Sequence, residues 1–66
     1  MSEAELQARF RQASRAFLHD PSEATLEALL SRYALLHVAV YGSDRGLEAE
    51  LEKIEDNARN ILMGLP

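Results

Sequence analysis

Tyr33-Ala34-Leu35-Leu36-His37-Val38-Ala39-Val40-Tyr41 is a nine-residue run with one strongly polar member, and whether it is helix or strand decides the fold. The alternation from Leu36 to Tyr41, with its branched residues, permits a strand. A strand needs a neighbour to satisfy its backbone groups, and the rest of the 66 residues holds no second strand candidate. The run is therefore read as a helix, apolar on more than one side. So short a chain has few elements with which to cover such a helix, which points to a second polypeptide.

Extending the run upstream at about 100° per residue aligns Leu26, Leu29, Leu30, Tyr33, Leu36, His37 and Val40 in one broad arc, the core-facing stripe of a bundle helix. Leu35 and Val38 fall on the opposite side, near Ala24, Ala28 and Ala39, where another helix can approach closely. His19-Asp20-Pro21-Ser22-Glu23 punctuates the chain before this helix: Asp20 suits an N-cap, Pro21 the first helical position and Glu23 the capping-box acid. The spacing thus predicts helix 2 over about 21–41. Helix 1, about 3–18, starts at the Ser2-Glu3-Ala4-Glu5 capping pattern and carries Leu6, Phe10, Ala13 and Phe17 on one stripe.

Downstream, Gly42-Ser43-Asp44-Arg45-Gly46 is a stop with two glycines, and Ser43 or Asp44 can cap the next helix. Helix 3, about 45–63, carries Leu47, Leu51, Ile54, Ala58, Ile61 and Leu65 at heptad spacing, a seam that must pack on helices 1 and 2 or on a symmetry mate. Glu48, Glu50, Glu52, Glu55 and Asp56 load its first half with acid, favourable near a helix N-terminus, and Glu55 with Arg59 forms an i,i+4 pair. Met63-Gly64-Leu65-Pro66 reads as an ordered helix end. The expected fold is all-α: a single domain over 1–66, a helical hairpin plus a third helix, completed by oligomerisation.

Composition agrees. Ala, Leu, Glu, Arg and Lys make up 36 of the 66 residues, a helical bias, and a domain of this size buries only about 60% of its unfolded surface. With no cysteine, disulfides and thiolate metal sites are excluded, and oligomerisation is the remaining remedy for a small core. The net charge of −4 and the scattered arginines argue against nucleic acid as a direct partner. No stretch is long enough to span a membrane, and the acidic start Met1–Glu5 is unlike a secretory signal, so a cytoplasmic location is expected.

For chemistry the chain offers His37 and His19. His37, at helical spacing from Tyr33 and Tyr41, reads as a partly buried side chain hydrogen-bonded to a neighbour; if it is buried neutral, acidification would loosen its contact. His19, Asp20 and Glu23 could ligate a metal, but capping already claims the two acids. No phosphate loop or hydrolase motif is present, so no catalytic residue, cofactor or metal is expected. Read as a helix-turn-helix, helix 3 would present Glu48, Glu50 and Glu52 to DNA phosphates.

In size and helical make-up the chain is similar to small bacterial and phage proteins such as Rop-type bundle dimers, type III secretion co-chaperones and inhibitors of host regulators. That likeness is architectural and implies no residue role. The expected function is a non-catalytic helical interaction module, a small regulator, inhibitor or chaperone-like subunit bound to a protein partner or to itself as a homodimer. Tyr33, Leu35, His37, Val38 and Tyr41 are the interface candidates, and Arg9, Arg11, Arg15, Glu48 and Glu52 the charged docking candidates. Two alternatives are a bundle regulator touching nucleic acid through Arg9, Arg11, Arg15 and Arg32, and a small enzyme or metal protein using His37 or His19.

Overall fold

The computed structural model describes residues 2–64 and is an all-α, three-helix bundle: α1 Glu3–His19, α2 Glu23–Tyr41 and α3 Leu47–Leu62. The whole Tyr33–Tyr41 run is helical. Leu65, the last position of the heptad seam, and Pro66 lie outside the described residues.

Local chemistry sets each boundary. Ser2 caps α1, its Oγ accepting from the Glu5 amide at 3.2 Å, and the first-turn acids Glu3 and Glu5 suit the helix dipole. The α1–α2 joint differs from expectation, and α2 starts at Glu23 rather than Pro21. Asp20 still donates its amide to the Ala16 carbonyl, so it closes α1 and cannot also open α2. Ser22 opens α2 instead, in a capping box whose second member is Thr25: each side-chain oxygen accepts from the other residue's amide, at 3.2 and 3.0 Å. Glu23 is released from capping. It reaches across to α3, where Arg59 donates to both its carboxylate oxygens at 3.0 and 3.3 Å and to Glu55 at 3.4 Å.

At the second joint Gly42 ends α2 in the left-handed region, with φ 71°, where a side chain would be strained. Gly46, φ 79°, stands at the N-cap of α3 without a side-chain cap. Neither Ser43 nor Asp44 caps α3, because both precede the N-cap position. Ser43 Oγ accepts from the Arg45 amide, and Asp44 contributes only its backbone carbonyl, to the Leu47 amide at 3.0 Å.

Packing then follows the apolar stripes. Ala13 and Phe17 of α1, Leu26 and Leu29 of α2, and Ala58 of α3 form the buried core, with Phe10, Leu30, Ile54 and Leu62 packed against it. The α2 arc is inward over Leu26 and Leu29 and again at His37, but Val40 is exposed. Phe10 meets Tyr33, so in the antiparallel α1–α2 pair Leu6 stands near the level of His37. One turn further, beside Val40, α1 offers only its polar start, and the arc loses its cover. The heptad seam of α3 packs through Ala58 onto α2. Across the described residues α1 and α3 have no Cα pair within 8 Å, so the seam does not close against α1.

Candidate protein-binding surfaces

Tyr33, His37 and Tyr41 repeat every four residues and follow one another along α2 as tilted rings, with Phe10 of α1 at one end. The ring centroids are 5.5 Å apart for Phe10–Tyr33, 5.9 Å for Tyr33–His37 and 4.6 Å for His37–Tyr41. His37 is only 5% exposed, and its Nε2 lies 3.0 Å from the Arg45 carbonyl. A carbonyl can only accept, so Nε2 carries the proton. In the neutral ring Nδ1 is then a lone pair, buried without a partner. The ring latches the 42–46 turn onto α2, and beside it is a cavity of about 370 Å³ walled by Tyr33, Tyr41, Arg45 and Glu50.

Burial, then the charge of Glu50, then Tyr41, raise the Tyr33 phenol above its ordinary value of 10.0. The native state therefore holds the phenol proton more tightly than the unfolded chain. The stability this contributes is fully present below 10.0 and is lost as pH rises through the folded value. Urea midpoints measured between about pH 9 and pH 11 are expected to fall, and to fall less in Tyr33→Phe. Equal alkaline slopes in the two proteins would contradict the assignment.

The five interface candidates divide. His37 is internal and Tyr33 half-buried, whereas Leu35 at 49%, Val38 at 43% and Tyr41 at 68% remain exposed. Leu35 and Val38 stand on the side of α2 that also carries Ala24, Ala28 and Ala39, all of them exposed. All five charged docking candidates are exposed as well, but the arginines do not form one patch. Arg9 shares a shallow depression with Arg32 between α1 and α2. Arg11, two residues on, stands about 200° around α1, and Arg15 lies on its side. The arginine set suggested for nucleic acid is thus split between two sides of the helix. His19 is exposed, and among the described residues no group of three or more His, Cys, Asp or Glu is placed to hold a metal ion.

A further surface was not foreseen from the sequence. Between α1 and α3 runs a groove of about 230 Å³, lined by Phe10, Phe17 and Leu18 on one side, Leu29 at its floor, and Ile54 and Ile61 on the other. Its polar lining is Ser14 and Asn57. Leu18 is 65% exposed at its edge, and Met63 is exposed just beyond Ile61. The one available signal was Leu18, a large apolar residue off the α1 stripe.

The accessible surface is 4769 Å², against about 4,200 Å² for a compact monomer of 7.4 kDa. Among the described residues no helix is long and apolar enough to cross a membrane. Comparison with protein-family models, with curated proteins and with solved structures returns no match.

Proposed function

We propose that the protein is a non-catalytic helical interaction module, a small regulator, inhibitor or chaperone-like subunit that acts by burying apolar helix surface against protein. One observation carries this reading: large apolar side chains stand exposed in two groups. Leu35, Val38, Val40 and Tyr41 lie within two turns at the end of α2, and Leu18, Ile61 and Met63 lie where α1 and α3 end. Scattered apolar residues are ordinary on a surface, but grouped ones mark contact sites. The Leu35–Val38 face of α2 suits a second copy, because Ala24, Ala28 and Ala39 let two helices approach closely.

The test is a Leu35→Glu, Val38→Glu double variant. Surface changes cost about 0.5 kcal/mol or less each, so the variant should keep its helicity and cooperative melt. Wild type is expected to reach a mass of two or more chains at the top of about a hundredfold concentration range in sedimentation, and the variant to remain a single chain. Loss of the melt would make these residues core, and identical mass profiles would remove this face as an interface.

A further inference from the structure

We infer that the α1/α3 groove receives an acidic amphipathic helix of a partner protein, whose apolar stripe fills the groove while its carboxylates meet Arg11 and Arg15. The inference rests on the interaction reading above and adds a second surface, on the side of α2 away from the Leu35–Val38 face.

The groove is long enough to seat two turns of a helix. Phe10 to Leu18 spans about 12 Å of α1, two turns, so a docked helix would anchor residues at i, i+3 or i+4, and i+7. Its lining is apolar apart from Ser14 and Asn57, and Leu18 and Ile61 stand partly exposed at its edges, as side chains awaiting a cover do.

Charge decides the occupant. Arg11 lies three residues before Ser14 and seven before Leu18, and Arg15 lies three before Leu18, so helical spacing puts both on the groove's α1 rim. Lys53, four residues before Asn57, takes the corresponding place on the α3 rim, with Glu50 and Asp56 three residues to either side of it, so the unopposed charge is that of Arg11 and Arg15. All three are exposed, and the ion pairs among the described residues all belong to Arg59. Arg11 and Arg15 have no acid three or four residues away on α1 and are each other's i+4 neighbour, a like-charge pair that opposes the helix. A carboxylate brought in by a partner would relieve it.

A second copy fits this groove poorly. Apposing two grooves would gather both sets of Arg11, Arg15 and Lys53 around one seam, and like charges set against each other across an interface select against that pairing. Of the α3 acids, Glu48, Glu52, Glu55 and Asp56 lie away from Ile61, and Glu50, four residues before Ile54, is the one on the groove's side, so each copy would bring one carboxylate against three cations.

The test uses the full chain and two synthetic labelled peptides, each helical with leucines at i, i+3, i+4 and i+7, one flanked by glutamates and one by lysines. Fluorescence anisotropy is expected to show the glutamate peptide binding at least about tenfold more tightly than the lysine peptide, with the preference lost in about 0.5 M salt. Arg11→Gln with Arg15→Gln should abolish the preference without lowering the melting temperature. Leu18→Gln should weaken both peptides.

Equal affinity for the two peptides, or binding indifferent to Leu18→Gln, would overturn the inference, as would no binding of either up to about 1 mM. These failures are separable from failure of the interaction reading itself, which is judged on Leu35→Glu, Val38→Glu. Dissociation of a wild-type dimer by Leu18→Gln would assign the groove to a second copy and would likewise overturn the proposal.

Discussion

Truncating Phe17 to alanine is expected to remove a large share of the protein's stability and to lower its urea midpoint sharply. Phe17 is 2% exposed and shares the core with Leu26, Leu29 and Ala58, one residue or more from each helix. Deleting a buried phenylalanine costs about 3–5 kcal/mol, and a chain of this length has about 3–10 kcal/mol of stability in all. Repair is limited because the core is small: beside Phe17, its large members are two leucines of one helix. The helices would separate together, since Phe17 sits in one buried cluster with residues of both α2 and α3. Far-UV circular dichroism with urea titration measures the loss. Phe17→Leu, which keeps most of the volume, should remain folded with a cost below about 1.5 kcal/mol. A Phe17→Ala protein with an undiminished urea midpoint would show that this core does not hold the fold.

His37→Ala is expected to cost about 2–4 kcal/mol, combining a buried cavity with a lost hydrogen bond. The ring fills the space between Tyr33 and Tyr41 and ties the Arg45 carbonyl to α2, so its removal frees the turn that leads into α3. His37→Leu separates the two effects. It restores apolar volume and removes the unpartnered Nδ1, so it should recover most of the global stability, but it cannot donate to Arg45. Hydrogen exchange should then be faster around residues 43–47 in both variants, with the global urea midpoint lowered chiefly in His37→Ala. Unchanged exchange in the turn would mean that the glycine geometry at Gly42 and Gly46 alone holds the joint.

The sequence by itself determined what depends on neighbours along the chain. Ser2 at the start of α1, Gly42 at the end of α2, the Glu55–Arg59 pair and the apolar stripes of all three helices were legible because each involves residues within one or two turns. The outward position of Leu35 and Val38 was legible for the same reason, since helical period alone puts them opposite Leu26 and Leu29. Competition between local signals was harder to read. Asp20 and Ser22 are both good caps, and the choice went to Ser22 because the Asp20 amide was already committed to α1 and Thr25 could close a reciprocal box.

Only the tertiary structure decided the rest. The Arg59 fork to Glu23 joins residues 36 apart, and the His37 bond to the Arg45 carbonyl depends on where a turn folds back, neither of which leaves a periodic trace. Val40 obeys the same period as its buried neighbours yet is exposed, because cover depends on where α1 begins. The groove is the clearest case. Phe10, Phe17, Ile54 and Ile61 carry an ordinary core pattern, and whether such residues meet or flank a cleft depends on the angle at which α1 and α3 splay from α2. That angle is a property of packing among three helices, and no one helix encodes it.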